Sequence, residues 1–122
     1  MSHCYQIFNV SDSIKACELY CNAFGAVKKS EDLGPDGWVG SDLELFGFNI
    51  FVQSFPHWKE TPPEKQGNCC VLFSTETELR KAADVLKPDA QSHVMHTDWG
   101  WTPLVALITD KFGIDWLLAL QG

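Results

Sequence analysis

Positive charge is scarce in this chain of 122 residues, where nine Lys and Arg stand against sixteen Asp and Glu for a formal net charge of −7. Sequence-independent nucleic-acid binding needs cations to neutralise phosphates, so no nucleic-acid partner is expected. Long apolar runs are also missing. The longest, such as Leu117 to Leu120, fall far short of the roughly 20 residues that cross a bilayer, and no membrane partner is expected. The start, Met1-Ser2-His3-Cys4, has no basic stretch leading into an apolar one, which points to a cytoplasmic protein. Five cysteines, at positions 4, 17, 21, 69 and 70, are an odd number and make no disulfide framework; they are expected to stay reduced and to act first as small buried hydrophobes. No Gly-rich strand-turn-helix is present to hold a nucleotide-like group, and no cofactor is expected. Charged residues are only 20% of the chain, without a long polar biased segment, so order nearly from end to end follows.

What is present is an apolar content of 45% with 12% aromatics, enough for the core of one domain. Tyr5 to Val10 is short, aromatic and β-branched and predicts a strand. Ser11, Asp12 and Ser13 then offer N-cap oxygens to a helix whose buried face is Ile14, Cys17, Tyr20, Cys21 and Phe24, stopped by Gly25. Three more strands are predicted over Val27 to Leu33, Trp38 to Leu45 and Phe48 to Phe55, with a Gly34-Pro35-Asp36-Gly37 turn after the first of them. Pro56, Pro62 and Pro63 among polar residues make the next stretch a connector or flap. The order then begins again: a strand from Asn68 to Phe73, a helix opened by the capping box Thr75-Glu76-Thr77-Glu78, and strands over Ser92 to Thr97, Pro103 to Thr109 and Gly113 to Leu120.

The repetition extends to residues. Leu45-Phe46-Gly47-Phe48-Asn49 lines up with Lys111-Phe112-Gly113-Ile114-Asp115, each a Phe-Gly turn with one polar residue two places after the Gly, 66 positions apart. Ile14-Lys15 lines up with Leu79-Arg80, 65 positions apart, and a duplicated βαβββ unit follows. One such unit forms a curved sheet that buries one face under its helix. Two of them leave a concave surface, the usual form of a small-molecule site.

Leu19-Tyr20-Cys21-Asn22-Ala23-Phe24-Gly25-Ala26 is similar to the end of the first helix in PhnB-like proteins. Trp99-Gly100, followed by Thr109-Asp110-Lys111-Phe112-Gly113-Ile114-Asp115-Trp116, resembles their C-terminal signature. On these residues the chain resembles the PhnB-like branch of the vicinal oxygen chelate superfamily, the glyoxalase, bleomycin-resistance and dioxygenase proteins. The resemblance implies one α+β domain of paired βαβββ modules, with module one at 1–55, a connector at 56–67 and module two at 68–122. It also implies a divalent metal held by His or Glu on the first and last strand of each module. Those slots fall here at Tyr5, Phe51, Asn68 (or Cys70, if the strand shifts by two) and Leu117. Phe51 and Leu117 offer no lone pair, so the expected cup is free of metal. Relatives often pair, and a homodimer is expected.

Alternation along the strands places Tyr5, Ile7 and Asn9 on one face, as it does Asn49, Phe51 and Gln53, and Asn68, Cys70 and Leu72. With Leu117 these line an apolar cup bearing a phenol, amides and a thiol, suited to a neutral or aromatic ligand, although the same residues could simply pack a core. Trp58, Trp99 and Trp101 sit in or beside connectors and could wall the cup, stacking on a planar or cationic ligand, or they could plug sheet ends. His93 and His96 are three apart in a strand and should not converge; His96, beside Trp99-Gly100, is the better candidate acid or base, with an exposed histidine as the plainer reading. Cys17 and Cys21 continue the helix stripe and read as core. The expected partner is a small molecule. Three readings stand: a metal-free binding or sequestering protein, a metal-dependent lyase, isomerase or dioxygenase, and a structural or partner-binding module.

Overall fold

A computed structural model describes residues 2–122. The chain divides after Gly67 into two compact units, and each is a βαβββ module with a four-stranded mixed sheet. The first runs β1 (Gln6–Asn9), α1 (Ser13–Phe24), β2 (Val27–Leu33), β3 (Val39–Leu45) and β4 (Phe48–Ser54), with sheet order β1-β4-β3-β2. The second runs β5 (Asn68–Phe73), α2 (Glu76–Leu86), β6 (Ser92–Trp99), β7 (Thr102–Thr109) and β8 (Asp115–Leu120), in the order β5-β8-β7-β6. In both, the first strand pairs in parallel with the last and the other pairs are antiparallel. Between the modules the chain makes a short 3-10 turn at Pro56–Lys59, then returns to β1, where the Asn9 amide donates to the Gln66 carbonyl at 2.8 Å.

Each helix covers one face of its own sheet. In the first module Phe8, Val10, Leu43, Ile50 and Val52 are sealed with Tyr20 of α1, whose ring meets Phe8 edge-on at 5.9 Å. In the second, Leu79 and Leu86 of α2 are buried together with Trp116 and Leu118 of β8. The helix ends follow their sequence signals. Asp12 accepts from the Lys15 amide, and Gly25 takes the left-handed φ of 67° that closes α1. Thr75 accepts from the Glu78 amide at 3.2 Å, but Glu78 answers by accepting the Thr75 hydroxyl rather than its backbone amide.

The buried stripe of α1 differs from the one its hydrophobic spacing predicts. It consists of Ser13, Ala16, Cys17, Tyr20, Ala23 and Phe24, while Ile14 is 41% exposed and Cys21 only half-buried. Ser13 can turn inward because its polar groups are satisfied there. Its hydroxyl donates to the Val52 carbonyl at 3.0 Å and its amide donates to Ser54 Oγ at 3.1 Å. This breaks the match of Ile14 with Leu79, which is fully buried. The N-caps, Asp12 and Thr75, align the helices at 63 positions instead. The pairing registers carry the rest: Gln6↔Ile50 corresponds to Cys69↔Trp116, again 63 on for β1 and 66 on for β4, and Glu44↔Asn49 corresponds to Thr109↔Asp115, 65 on for β3. The turn between the last two strands is therefore one residue longer in the second module.

That longer turn has its own clamp. Asp110, fully buried, accepts from the Phe112 and Ile114 amides at 2.8 and 3.1 Å through Oδ1, and from the Trp116 indole Nε1 at 2.9 Å through Oδ2. The Asp-Lys-Phe-Gly-Ile-Asp-Trp string is thus a turn held by one carboxylate. The shorter turn Phe46-Gly47 of the first module needs only positive φ, 51° and 82°.

Candidate functional site

The sheet face turned away from each helix carries the residues that alternation singled out. In the first module three rows cross that face: Asn49 and Glu44 beside Val27; Ile7, Phe51, Asp42 and Ser30; and Asn9, Gln53, Gly40 and Asp32. Gly40 lacks a side chain for a reason. A Cβ there would stand 2.4 to 2.6 Å from the rings of Trp38 and Phe51, which stack over the sheet with centroids 6.1 Å apart at 26°. The Trp38 indole donates to Gln53 Oε1 at 3.0 Å, Gln53 Nε2 donates to Asn9 Oδ1 at 2.8 Å, and Asn9 Nδ2 donates to the Lys65 carbonyl at 2.9 Å. Tyr5 meets Phe51 edge-on at 6.5 Å and donates to Asp42 Oδ2 at 3.0 Å, a bond to a carboxylate that raises its phenol pKa above the usual value. Here the module supplies its own ring and hydrogen bonds. Gln53 orients Trp38 instead of presenting a vacant amide.

The second module repeats the rows with other side chains and leaves space. Asn68, Asp115, Thr109 and Ser92 form one row; Cys70, Leu117, Leu107 and Val94 form the next; Leu72, Ala119, Val105 and His96 form the third. The first two rows line a hollow of about 460 Å³. Thr109 Oγ1 donates to Asp115 Oδ1 at 2.5 Å. Cys70 is exposed, whereas its neighbour Cys69, half-buried, has its thiol pKa pushed up to about 11 by burial.

The candidate residues accordingly separate into groups. Tyr5, Ile7, Phe51 and Gln53 share the aromatic face of the first sheet, while Asn68, Cys70 and Leu117 line the hollow of the second. His96 lies on the same face one row beyond the hollow, its ring 4.5 Å from that of Trp99 at the end of β6. Trp101 sits at the tip of the β6–β7 turn, 59% exposed, and does not line the hollow. Trp58 packs edge-on against Phe55 at 5.0 Å. Sequence reasoning did not single out Asp115, Thr109, Ser92, Val94 or Leu107; the polar residue after each Phe-Gly turn was the available signal for Asp115.

The slots that the fold would use for a metal hold Tyr5 and Phe51 in one module and Asn68 or Cys70 with Leu117 in the other. Tyr5 is tied to Asp42 and two of these side chains are hydrocarbon, so the donor set does not fit a divalent ion. No group of three or more His, Cys, Asp or Glu suited to a metal occurs among the described residues. No described helix is long and apolar enough to cross a membrane.

No family model matches the chain, and no curated protein matches it in sequence. Solved structures match its fold. A PhnB protein from Bacillus cereus aligns with a TM-score of 0.76 at 16% identity, over 98% of this chain and 99% of that one. A glyoxylase/bleomycin resistance protein/dioxygenase domain from Frankia sp. EAN1pec gives 0.72 at 16% identity, over 100% of this chain and 97% of that one. TnmS3, an antibiotic binding protein from Streptomyces sp. CB03234, gives 0.62 at 16% identity, over 100% and 98%. At these identities the likeness is one of fold.

Proposed function

We propose, from a chain with the fold of the vicinal oxygen chelate proteins, that it binds an apolar small molecule without a metal, in the hollow of its second sheet. The observation that carries this reading is the open volume of about 460 Å³ over Cys70, Leu117, Leu107 and Val94, within the range of about 300 to 1,000 Å³ usual for ligand pockets. Apolar side chains left half-buried on a sheet face gain by transferring surface from water to a ligand, at about 25 cal/mol per Å². The antibiotic-binding description of TnmS3 supports the same reading by analogy of fold. A cytoplasmic homodimer is part of the proposal, because β2 and β6 are sheet edges exposed along their whole length and a second copy could cover them.

Titration with the neutral probe N-phenyl-1-naphthylamine should give a saturable rise in its emission at one probe per chain. Leu107→Trp places a large ring in the hollow and should weaken that binding by about 10-fold or more while leaving the circular dichroism unchanged. Non-saturable binding in the native protein, or a Leu107→Trp variant that binds as before, would remove the hollow as the site. One tightly held divalent ion per chain in metal analysis would overturn the metal-free part and favour the metal-dependent enzymes of this fold.

A further inference from the structure

We propose that the hollow of the second sheet selects an organic cation, with the Asp115 carboxylate as its counter-ion; this rests on the reading of that hollow as a ligand site. Asp115 brings the carboxylate to the lining, and among the described residues no Lys, Arg or His lines the hollow. Thr109 Oγ1 donates to Asp115 Oδ1 at 2.5 Å, which fixes the carboxylate and leaves Oδ2 for an incoming donor. Asp115 has no cation partner among the described residues. The first module makes the contrast. In its corresponding row Glu44 is already paired with Lys29 at 2.9 Å.

The geometry also sizes the ligand. Asp115 and Leu117 are two residues apart on one strand, or about 7 Å, so a charged head at the first row would place an apolar body of similar length over Cys70, Leu117, Leu107 and Val94. Asn68 stands beside the acid in its row and Ser92 stands beyond Thr109 on the other side, and both add neutral hydrogen-bonding groups. Asp115 is exposed at the edge of the hollow, so solvent screens its pull on a cation, and the apolar row beside it must supply the rest of the affinity. A protein of net charge −7 also draws cations and repels anions at a distance. An arylalkylammonium ion, with a protonated amine a few bonds from an aromatic ring, fits both rows.

The test uses three probes of one shape: 1-naphthylmethylamine, protonated at pH 7, neutral 1-naphthylmethanol, and anionic 1-naphthoate. The amine is expected to bind about 10-fold more tightly than the alcohol, and the naphthoate more weakly than either. Asp115→Asn should bring the amine down to the level of the alcohol without changing the alcohol. Glu64→Gln removes the same charge from the exposed connector and should leave the three affinities unchanged. Equal binding of amine and alcohol, an equal loss of both in Asp115→Asn, or an equal loss of amine binding in Glu64→Gln would each overturn the cation preference while leaving the apolar hollow in place. Failure of all three probes to bind the native protein would overturn the hollow as a ligand site together with the preference.

Discussion

The two modules share a topology and differ in what they place on the free face of the sheet. Where the first has Gly40, roofed by Trp38 and Phe51, the second has Val105; where the first has Phe51 beside Asp42, the second has Leu117 beside Leu107. The first face is filled and internally hydrogen-bonded, and the second keeps a hollow. The same contrast appears in the last turn with its sense reversed. Leu45, apolar and buried at the end of β3 just before the two-residue turn, corresponds to Asp110, a buried carboxylate that organises a longer one. A duplicated scaffold can therefore assign preorganised aromatic structure to one copy and open volume to the other without altering its strand pairing.

The sharpest way to break this comparison is at the turns. Asp110→Ala removes the carboxylate that accepts from two backbone amides and an indole N–H, and losing the partner of a buried polar group costs about 1 to 3 kcal/mol. A loss of about 3 to 5 kcal/mol is expected in urea unfolding, against about 2 to 4 kcal/mol for Leu45→Ala, which only opens a cavity. A smaller effect of Asp110→Ala than of Leu45→Ala would remove the carboxylate as the clamp. Next in size, Gly40→Ala forces a methyl group into the Trp38 and Phe51 rings and should cost about 1 to 3 kcal/mol. An unchanged midpoint would show that the rings yield freely. Gln53→Ala removes the acceptor of the Trp38 indole and should cost about 1 kcal/mol, with a shift in tryptophan emission as the more sensitive readout.

The smallest effect concerns the thiols. Burial pushes Cys17 and Cys69 up to about 11, whereas Cys4 and Cys70 are exposed. Alkylation followed by mass spectrometry at pH 8 should modify Cys4 and Cys70 first and the other two late. The buried thiols are neutral in the folded chain at a pH where the unfolded chain already forms thiolate. Their contribution to stability is thus fully present below pH 9, the ordinary thiol value, and is lost as pH rises through 11. Unfolding midpoints that rise between pH 9 and 11 would contradict this sign.

The strand and helix order was legible because apolar alternation and capping residues are local signals, and the twofold repeat was legible because its Phe-Gly turns share a sequence. The face of each strand was legible for the same reason: Asn68, Cys70 and Leu117 meet because parity, once set, carries along a strand. Less legible was anything decided by a polar group finding a partner far along the chain. Ser13 is buried because Val52 and Ser54 receive it, and no hydrophobic period reveals that. Asp110 reads as part of a signature until its bonds to Phe112, Ile114 and Trp116 show it to be a turn device. Trp101 stands in a segment rich in aromatics, yet turn geometry leaves it exposed.

The growth in spacing between the copies, from 63 positions at the first strand to 66 at the last, has a practical meaning. Added residues fall at turns or bulges, so the cross-strand rows remain aligned while the numbering drifts. A side chain could therefore be transplanted from one copy to its counterpart by the correct local shift: Leu117 into position 51, or Phe51 into position 117. Such exchanges would show whether a second vacancy can be carved into the occupied half, and whether the vacant half accepts a built-in roof.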